Sequence, residues 1–442
     1  MKFYIYTLGC KVNTYESSVM RDKLLDSGYI EANNKTEADI FIINTCTVTN
    51  TSDNKSLKMI RQAIRENKDA VIVVVGCMSQ IRYKELSEIE DINIIIGSYG
   101  KNNIVNYIEN YLKNKKQIVD IKDLNVVEFE HMNLNEFKHI RAFVKIQDGC
   151  ENFCSYCIIP YSRGKVRSKE PRLVLEEIKK LVSSGHKEIV LTGIHTGHYG
   201  SEFNNFNFFD LLNEILKLEG LERLRISSIE MNEITDEIIN LFDKNNVLVD
   251  HLHIPLQSGS NAILKLMNRK YNKEQFINKI NNIRSVRPDI SITTDVIVGF
   301  PGETEELFNE TMDTIKKIKF SKIHVFPYSR RSGTVADELT NQIDEKIKKE
   351  RVHKLLEVSK DLEIEYMKKF INKKTCFIPE AYKDGYLIGH TGNYLLIKCE
   401  GNNDLINKNI EVDLKYINYP YVVSKIIVKW FWQIGIFVLL YC

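Results

Sequence analysis

Gly149-Cys150-Glu151-Asn152-Phe153-Cys154-Ser155-Tyr156-Cys157 gathers three thiols in a C-x3-C-x2-C loop directly after the strand-like run Phe143 to Gln147. Three ligands leave a tetrahedral site incomplete. Structural zinc takes four protein ligands, so the loop predicts either zinc with a distant fourth ligand or a cubane iron–sulfur cluster with one iron open to chemistry. The bland alternatives are a disulfide with a spare thiol or three inert buried cysteines, but short loops seldom gather three thiols without a metal.

Outward from the loop toward the C-terminus, strand-like runs recur at 188–191, 223–227, 251–255, 291–298 and 322–327. Segments able to form helices bridge most of them, at 171–183, 208–218, 261–266 and 304–318. With the strand at 143–147 this makes six β/α units and predicts a partial barrel, whose functional groups belong at the carboxyl ends of the strands. The cysteine loop is at such an end. So are Thr192-Gly193-Ile194-His195, Gln257-Ser258-Gly259-Ser260 and Val298-Gly299-Phe300-Pro301-Gly302-Glu303-Thr304, where small residues let a nucleoside lie close to the backbone or simply make tight turns. His195, His251 and His253 are expected to line the site or fill the core rather than bind metal. Tyr161 to Lys169 carries four cations from Arg163 onward, with Arg163, Lys165 and Arg167 as candidate phosphate contacts beside the active site; a solvated loop is the plain alternative.

Toward the N-terminus, β-branched or aromatic runs at 2–7, 40–44, 70–75 and 93–96 alternate with helical stretches such as 17–27 and 56–66, which predicts a doubly wound parallel α/β sheet. Cys10, Cys46 and Cys77 each follow the end of one of these strands. In a parallel sheet all three share one carboxyl edge, the edge at which such folds bind ligands. Gly9 and Gly76 would allow close backbone approach to a cluster.

The chain has 442 residues, which suggests about three domains. With 43% hydrophobic and 27% charged residues the composition is that of a folded protein rather than a disordered one. A net charge of +2 leaves any RNA surface to local patches. Six of nine cysteines fall in the two triplets, which fits metal binding in a reducing compartment better than a secreted disulfide framework. No export signal is expected from 1–10, and no membrane anchor: the apolar run 430–442 is too short to span a bilayer and is expected to pack against a domain or to be a non-standard end of the reading frame. A polar connector is expected at 113–139. A long helix at 345–370 should close the barrel, followed by a small β-barrel with strands at 375–379, 385–390, 394–399 and 410–414, a shape suited to RNA through Lys383, Tyr386 and Tyr394.

Taken together, Thr7-Leu8-Gly9-Cys10-Lys11-Val12-Asn13, Asn44-Thr45-Cys46, Val75-Gly76-Cys77, the Cys150/Cys154/Cys157 loop with Ile159-Pro160, Pro255 to Ser260 and Ile297 to Thr304 resemble the methylthiotransferase family of radical S-adenosylmethionine enzymes over nearly the whole chain. The Lys11-Val12-Asn13 variant is similar to the branch that acts on N6-threonylcarbamoyladenosine in tRNA. Branches acting on isopentenyladenosine tRNA or on a ribosomal-protein aspartate share all six cysteines and usually differ there. A metal-bound RNA-binding protein without catalysis would not need two three-thiol sites. The apolar tail is not part of the family pattern.

The resemblance implies domains at 1–112 (auxiliary cluster), 140–370 (radical core) and 371–429 (the RNA-binding TRAM barrel). It implies that Cys150, Cys154 and Cys157 hold a 4Fe-4S cluster whose open iron binds S-adenosylmethionine, yielding a 5′-deoxyadenosyl radical that takes hydrogen from C2 of the adenine next to the anticodon. Cys10, Cys46 and Cys77 would hold a second 4Fe-4S cluster that supplies or carries the sulfur, methylated by another S-adenosylmethionine. Tyr156, Gly193, Gln257 and Gly299 are the implied cofactor contacts. The expected partners are the tRNA anticodon arm and a flavodoxin-like or ferredoxin-like electron donor, for a cytoplasmic monomer.

Overall fold

Runs such as Ile40–Thr45 (IFIINT) and Val71–Gly76 (VIVVVG) are apolar without alternation, the pattern of strands covered on both faces. In the computed structural model, which describes residues 1–66, 68–134, 137–431 and 436–439, they lie at the centre of a six-stranded parallel sheet. Its strands are β1 (Lys2–Thr7), β2 (Ile30–Glu31), β3 (Ile40–Thr45), β4 (Val71–Gly76), β5 (Ile94–Ile96) and β6 (Ile118–Asp120), in the order β2-β1-β3-β4-β5-β6. Alternate residues feed two cores, Phe3, Ile42 and Val73 on one face and Phe41, Ile72 and Val74 on the other. The segment expected to be only a connector supplies β6 at the sheet edge and sends Met132, Leu134 and Phe137 into the next domain's core. Its apolar residues are too scattered to show a period.

The central domain contains β7 (Arg141–Lys145), β8 (Gln147–Asp148), β9 (Arg167–Ser168), β10 (Glu188–Thr192), β11 (Arg223–Ile226), β12 (His251–His253), β13 (Ser291–Val298) and β14 (Lys322–Pro327). Two parallel three-stranded sheets, β11-β10-β7 and β12-β13-β14, are joined by a parallel bridge between Leu224 and Leu248 and form the six-stranded partial barrel. Ile189, Leu191, Leu224, Ile226, Leu252 and Ile292 belong to a single apolar core shared with helices such as Pro171–Ser183 and Phe208–Ile215. The alternate positions are polar: Lys145, Glu188, Arg225, His251 and Thr293. A polar lining leaves this barrel with a working interior rather than the usual plug of branched side chains.

Five strands, β15 (Lys374–Lys383), β16 (Tyr386–Thr391), β17 (Leu396–Glu400), β18 (Ile410–Asn418) and β19 (Tyr421–Ile426), close the C-terminal barrel in the order β15-β16-β17-β19-β18. Closure removes the exposed edges that so small a sheet would present. The sequence reading found four of these strands; β19 follows β18 after only two residues, so the pair reads as one run. Helix Glu345–Lys368 runs between the two barrels and sends Leu355 and Leu362 into the central core, while Tyr366 and Met367 join the core of the small barrel. Beyond it, Val428–Phe431 and Ile436–Leu439 pair antiparallel; the rest of the apolar tail lies outside the described residues. No helix among the described residues is long and apolar enough to cross a membrane.

Candidate active site

The loop between β8 and helix Ile159–Arg163 brings Cys150, Cys154 and Cys157 together as half-buried free thiols. Backbone bonds fix its course: Cys150 N–H donates to the Gly164 carbonyl (3.0 Å) and Ser155 N–H to that of Met267 (3.0 Å). Gly149, at φ +79°, has no room for a side chain, since a Cβ would stand 1.8 Å from the Lys165 carbonyl oxygen. Two basic side chains aim at the sulfurs. Arg269, paired with Glu230, donates to Cys154 Sγ at 3.3 Å. The Nδ1 of His195 lies 3.8 Å from Cys150 Sγ, while its Nε2 meets Glu233. Burial would lower the His195 pKa, but the bonds to Cys150 and Glu233 outweigh it and raise it to about 10.

Cys10, Cys46 and Cys77 end three neighbouring strands of the N-terminal sheet and meet at its carboxyl edge, each thiol within electrostatic reach of the others. Gly9, at φ +102°, makes this possible: a Cβ there would be 3.0 Å from Cys46 Sγ. Asn13 ties two of the strand ends together, donating to the carbonyls of Leu8 (2.7 Å) and Thr45 (2.9 Å).

Between the two triplets is a buried ionic cluster that sequence reading missed. Arg163 donates to Cys77 Sγ (3.1 Å), Asn13 Oδ1 (2.8 Å) and Glu16 (2.6 Å), and Glu16 also pairs with Lys101 (2.8 Å) and Lys145 (2.7 Å). Burial alone would raise the Glu16 carboxyl, but Arg163, Lys101 and Lys145 prevail and hold it well below the usual carboxylate range. One signal was available: Glu16 follows Asn13 by three residues and so shares its helix face. The expectation that Arg163 and Arg167 contact phosphate is corrected here. Arg163 is 0% exposed and Arg167 7%, the latter held by the carbonyls of Leu124 (2.9 Å) and Arg163 (2.8 Å). Of that basic run, Lys165 is exposed.

A cavity of about 410 Å³ opens between the domains. Gly9, Cys10 and Lys11 form one wall, Thr192 and Gly193 another; His251, His253, Asp295, Lys322 and His324 line the barrel interior, and Tyr394 of the C-terminal barrel closes the floor. Cys10 is accessible because it faces this cavity, although the protein surrounds it closely enough for burial to raise its thiol pKa. Of the six cysteines only Cys10 lines this cavity; on the other side it reaches Gly193, two residues before the His195 that contacts Cys150.

The other expected cofactor contacts separate. Tyr156 is beside the thiols, its ring edge-on to Phe300 at 6.4 Å. Gln257 is half-buried at φ +64°. At Gly299 the N–H donates to Glu303 (2.6 Å), and a Cβ would strike the Lys348 stem at 2.4 Å. Tyr394, expected on an RNA-facing surface of the small barrel, is docked on the central domain and lines the cavity. His251 and His253 line the cavity as expected, both bonded to Thr293 Oγ1 at 3.0 Å.

The thiols suit clusters better than single ions. One tetrahedral ion with metal–sulfur bonds of about 2.3 Å would draw its sulfurs to about 3.8 Å apart. Among the described residues, the group of potential ligand atoms that converges, within 4.8 Å, is His195, His198 and Glu233 rather than either cysteine triplet. Without metal, burial pushes the Cys157 thiol up to about 12 and the Cys46 thiol to about 11; a bound metal would take up the thiolates.

Residues 144–315 match the Radical SAM superfamily, and residues 2–97 match a family described as Uncharacterized protein family UPF0004. The threonylcarbamoyladenosine tRNA methylthiotransferase MtaB of Bacillus subtilis (strain 168) is 44% identical over 425 residues, covering 94% of each chain. Its namesake from Aquifex aeolicus (strain VF5) is 38% identical, covering 92% of this chain and 98% of that protein. A tRNA-2-methylthio-N(6)-dimethylallyladenosine synthase of Natranaerobius thermophilus is 36% identical over 93% of this chain and 94% of its own. Among solved structures, the radical S-adenosylmethionine methyltransferase TsrM from Kitasatospora setae shares the fold, with a TM-score of 0.56 and 14% identity over 76% of this chain and 74% of that one.

Proposed function

The chain belongs to the methylthiotransferase family of radical S-adenosylmethionine enzymes, and from that membership we propose that it methylthiolates C2 of N6-threonylcarbamoyladenosine next to the anticodon of tRNA. The observation that carries the reading is the single cavity with Cys10 on one wall and Thr192-Gly193 on the other. A base held there would lie against Cys10 of one thiol site and beside the strand end that leads to His195, the partner of Cys150 in the other.

In this assignment Cys150, Cys154 and Cys157 hold the cluster that binds S-adenosylmethionine, and Cys10, Cys46 and Cys77 hold the auxiliary one. When bound, these groups supply a carbon radical strong enough to take hydrogen from an aromatic carbon, together with the sulfur and the methyl group. The protein's own residues do the rest. Arg269 and His195 place N–H groups against the Cys154 and Cys150 sulfurs, which favours the negative charge a thiolate-ligated cluster carries. Arg163 does the same for Cys77 and, through Glu16 and Asn13, fixes the distance between the two sites. Enclosure by three domains keeps water and stray hydrogen donors from a radical.

For the tRNA itself, the outer face of the C-terminal barrel offers exposed Tyr382, Lys383 and Tyr416, with Lys398 over the rings of Tyr386 (4.1 Å) and Tyr421 (5.9 Å). Aromatic rings beside lysines are what stacked bases and phosphates require. The assignment places the protein in a cytoplasmic setting, where a flavodoxin-like or ferredoxin-like protein would supply the electron. Nucleoside analysis of tRNA from a deletion strain tests the assignment: 2-methylthio-N6-threonylcarbamoyladenosine should vanish. Its persistence, with loss of the isopentenyl counterpart instead, would move the enzyme to the other branch.

A further inference from the structure

Lys11 is the first residue of helix Lys11–Asp26, directly after Cys10, and lines the cavity. Its surroundings oppose a positive charge. The first helical turn contains no acidic residue, and a cation at a helix N-terminus faces the positive end of the macrodipole. Against the Tyr394 ring at the floor, outside the lining, are two more cations within electrostatic reach of Lys11, Arg141 and Arg225. The other lysine of the lining, Lys322, has Glu363 at 3.1 Å, and the one lining carboxylate, Asp295, lies 3.4 Å from His253.

Two features give the floor a polar and positive backing. Arg225 is 2% exposed and spends its Nε on Glu188 (2.6 Å), yet neither of its Nη atoms has a hydrogen-bond partner. His251, 6% exposed and part of the lining, has an unpartnered Nδ1. Arg225 lies behind the Tyr394 ring rather than in the lining, so it acts on the cavity through its charge. The floor also has an excess of positive charge, with Arg141, Arg223 and Arg225 set against Glu188 and Glu380.

We propose that Lys11, backed by Arg225 and Arg141, forms a carboxylate subsite that takes the amino-acid carboxylate of the threonylcarbamoyl group and so selects the acidic nucleoside over a neutral, prenylated one. The assignment rests on the reading of the cavity as the nucleoside pocket. Because Lys11 adjoins Cys10, the cation that holds the carboxylate also sets the base beside the auxiliary site. Asp295 with His253 remains for the polar hydroxyl and urea groups of the same arm.

The test uses the full chain, reconstituted anaerobically, and short anticodon stem-loop RNAs carrying either N6-threonylcarbamoyladenosine or its methyl ester, with binding read by fluorescence anisotropy. The wild-type protein should prefer the free acid by roughly 10- to 100-fold, the range for a charge-assisted hydrogen bond. Lys11→Gln should erase that preference, and Lys11→Arg should keep most of it; iron content and the circular dichroism melt show that each variant is folded. Retention of the wild-type preference by Lys11→Gln, or an equal loss for acid and ester, overturns the subsite, the latter assigning Lys11 to the auxiliary site or the fold. A turnover assay separates the two levels of argument. If the wild type leaves the acid RNA unmodified, the proposed function falls and the subsite with it; if it modifies that RNA and Lys11→Gln binds it equally well, only the subsite falls.

Discussion

Arg163 of the central domain donates from Nε to the Cys77 sulfur of the N-terminal domain at 3.1 Å. The same guanidinium grips Glu16 and Asn13, so one side chain joins a thiol site to the buried ionic cluster behind it. Arg163→Met should therefore destabilise the chain by about 3–5 kcal/mol, the usual result of removing one partner from a buried charge cluster. Iron content should drop from about eight toward about four per chain as the auxiliary site is lost. A phosphate-binding role would instead leave the melting temperature and iron content unchanged while weakening tRNA binding.

The two triplets should separate functionally. Cys150→Ala should abolish formation of 5′-deoxyadenosine from S-adenosylmethionine and dithionite. Cys46→Ala should spare that cleavage but stop sulfur insertion into tRNA. Loss of cleavage in both variants would contradict the division of labour.

Acid should weaken the fold through His251. Burial first, then Arg225, His253, Lys11 and Arg141, push its imidazole well below the ordinary 6.5. The folded state therefore keeps His251 neutral while the unfolded chain binds a proton, so this contribution is complete above about pH 6.5 and is lost as the pH falls below that value. Urea denaturation at pH 6.5 and at pH 5.5 should show the wild type losing about 1 kcal/mol more than His251→Gln between the two conditions. Equal losses would mean that the imidazole is protonated in the folded state.

Tyr394 should act as the fastener of the C-terminal barrel. Its ring lies 4.7 Å from those of His251 and His390, Arg225 stacks on it at 4.6 Å, and its hydroxyl accepts from Arg141 at 2.9 Å. Tyr394→Ala should cost about 2–4 kcal/mol and let the small barrel melt as a separate calorimetric transition. Tyr394→Phe, which loses only the hydroxyl bond, should cost about 1 kcal/mol. A single unsplit transition for Tyr394→Ala would place the fastening elsewhere.

What could be read from the sequence was what local pattern encodes. Strands β13 and β14 and helices Pro171–Ser183 and Asn261–Leu266 agree with their expected bounds to the residue, because apolar period and turn residues mark both ends. The two thiol triplets were visible because cysteine at a strand end is rare and was repeated. Electrostatic roles were not. Arg163 and Arg167 belong to a basic run that looks solvated in one dimension, and Glu16 and Leu124 from distant segments, with Asp148 nearer by, hold these two arginines inside. The docking of Tyr394 was hidden for the same reason, since its partners Arg141, Arg225 and His251 are each over a hundred residues away in the chain.

The floor of the cavity has a consequence for the order of synthesis. Both thiol triplets are complete once residue 157 has been made, but the tyrosine that closes the pocket follows 237 residues later. A ribosome-bound chain can thus own every cluster ligand while its reaction chamber is still open underneath. A chain that stopped just short of the last domain would hold all six cluster cysteines and lack the Tyr394 floor.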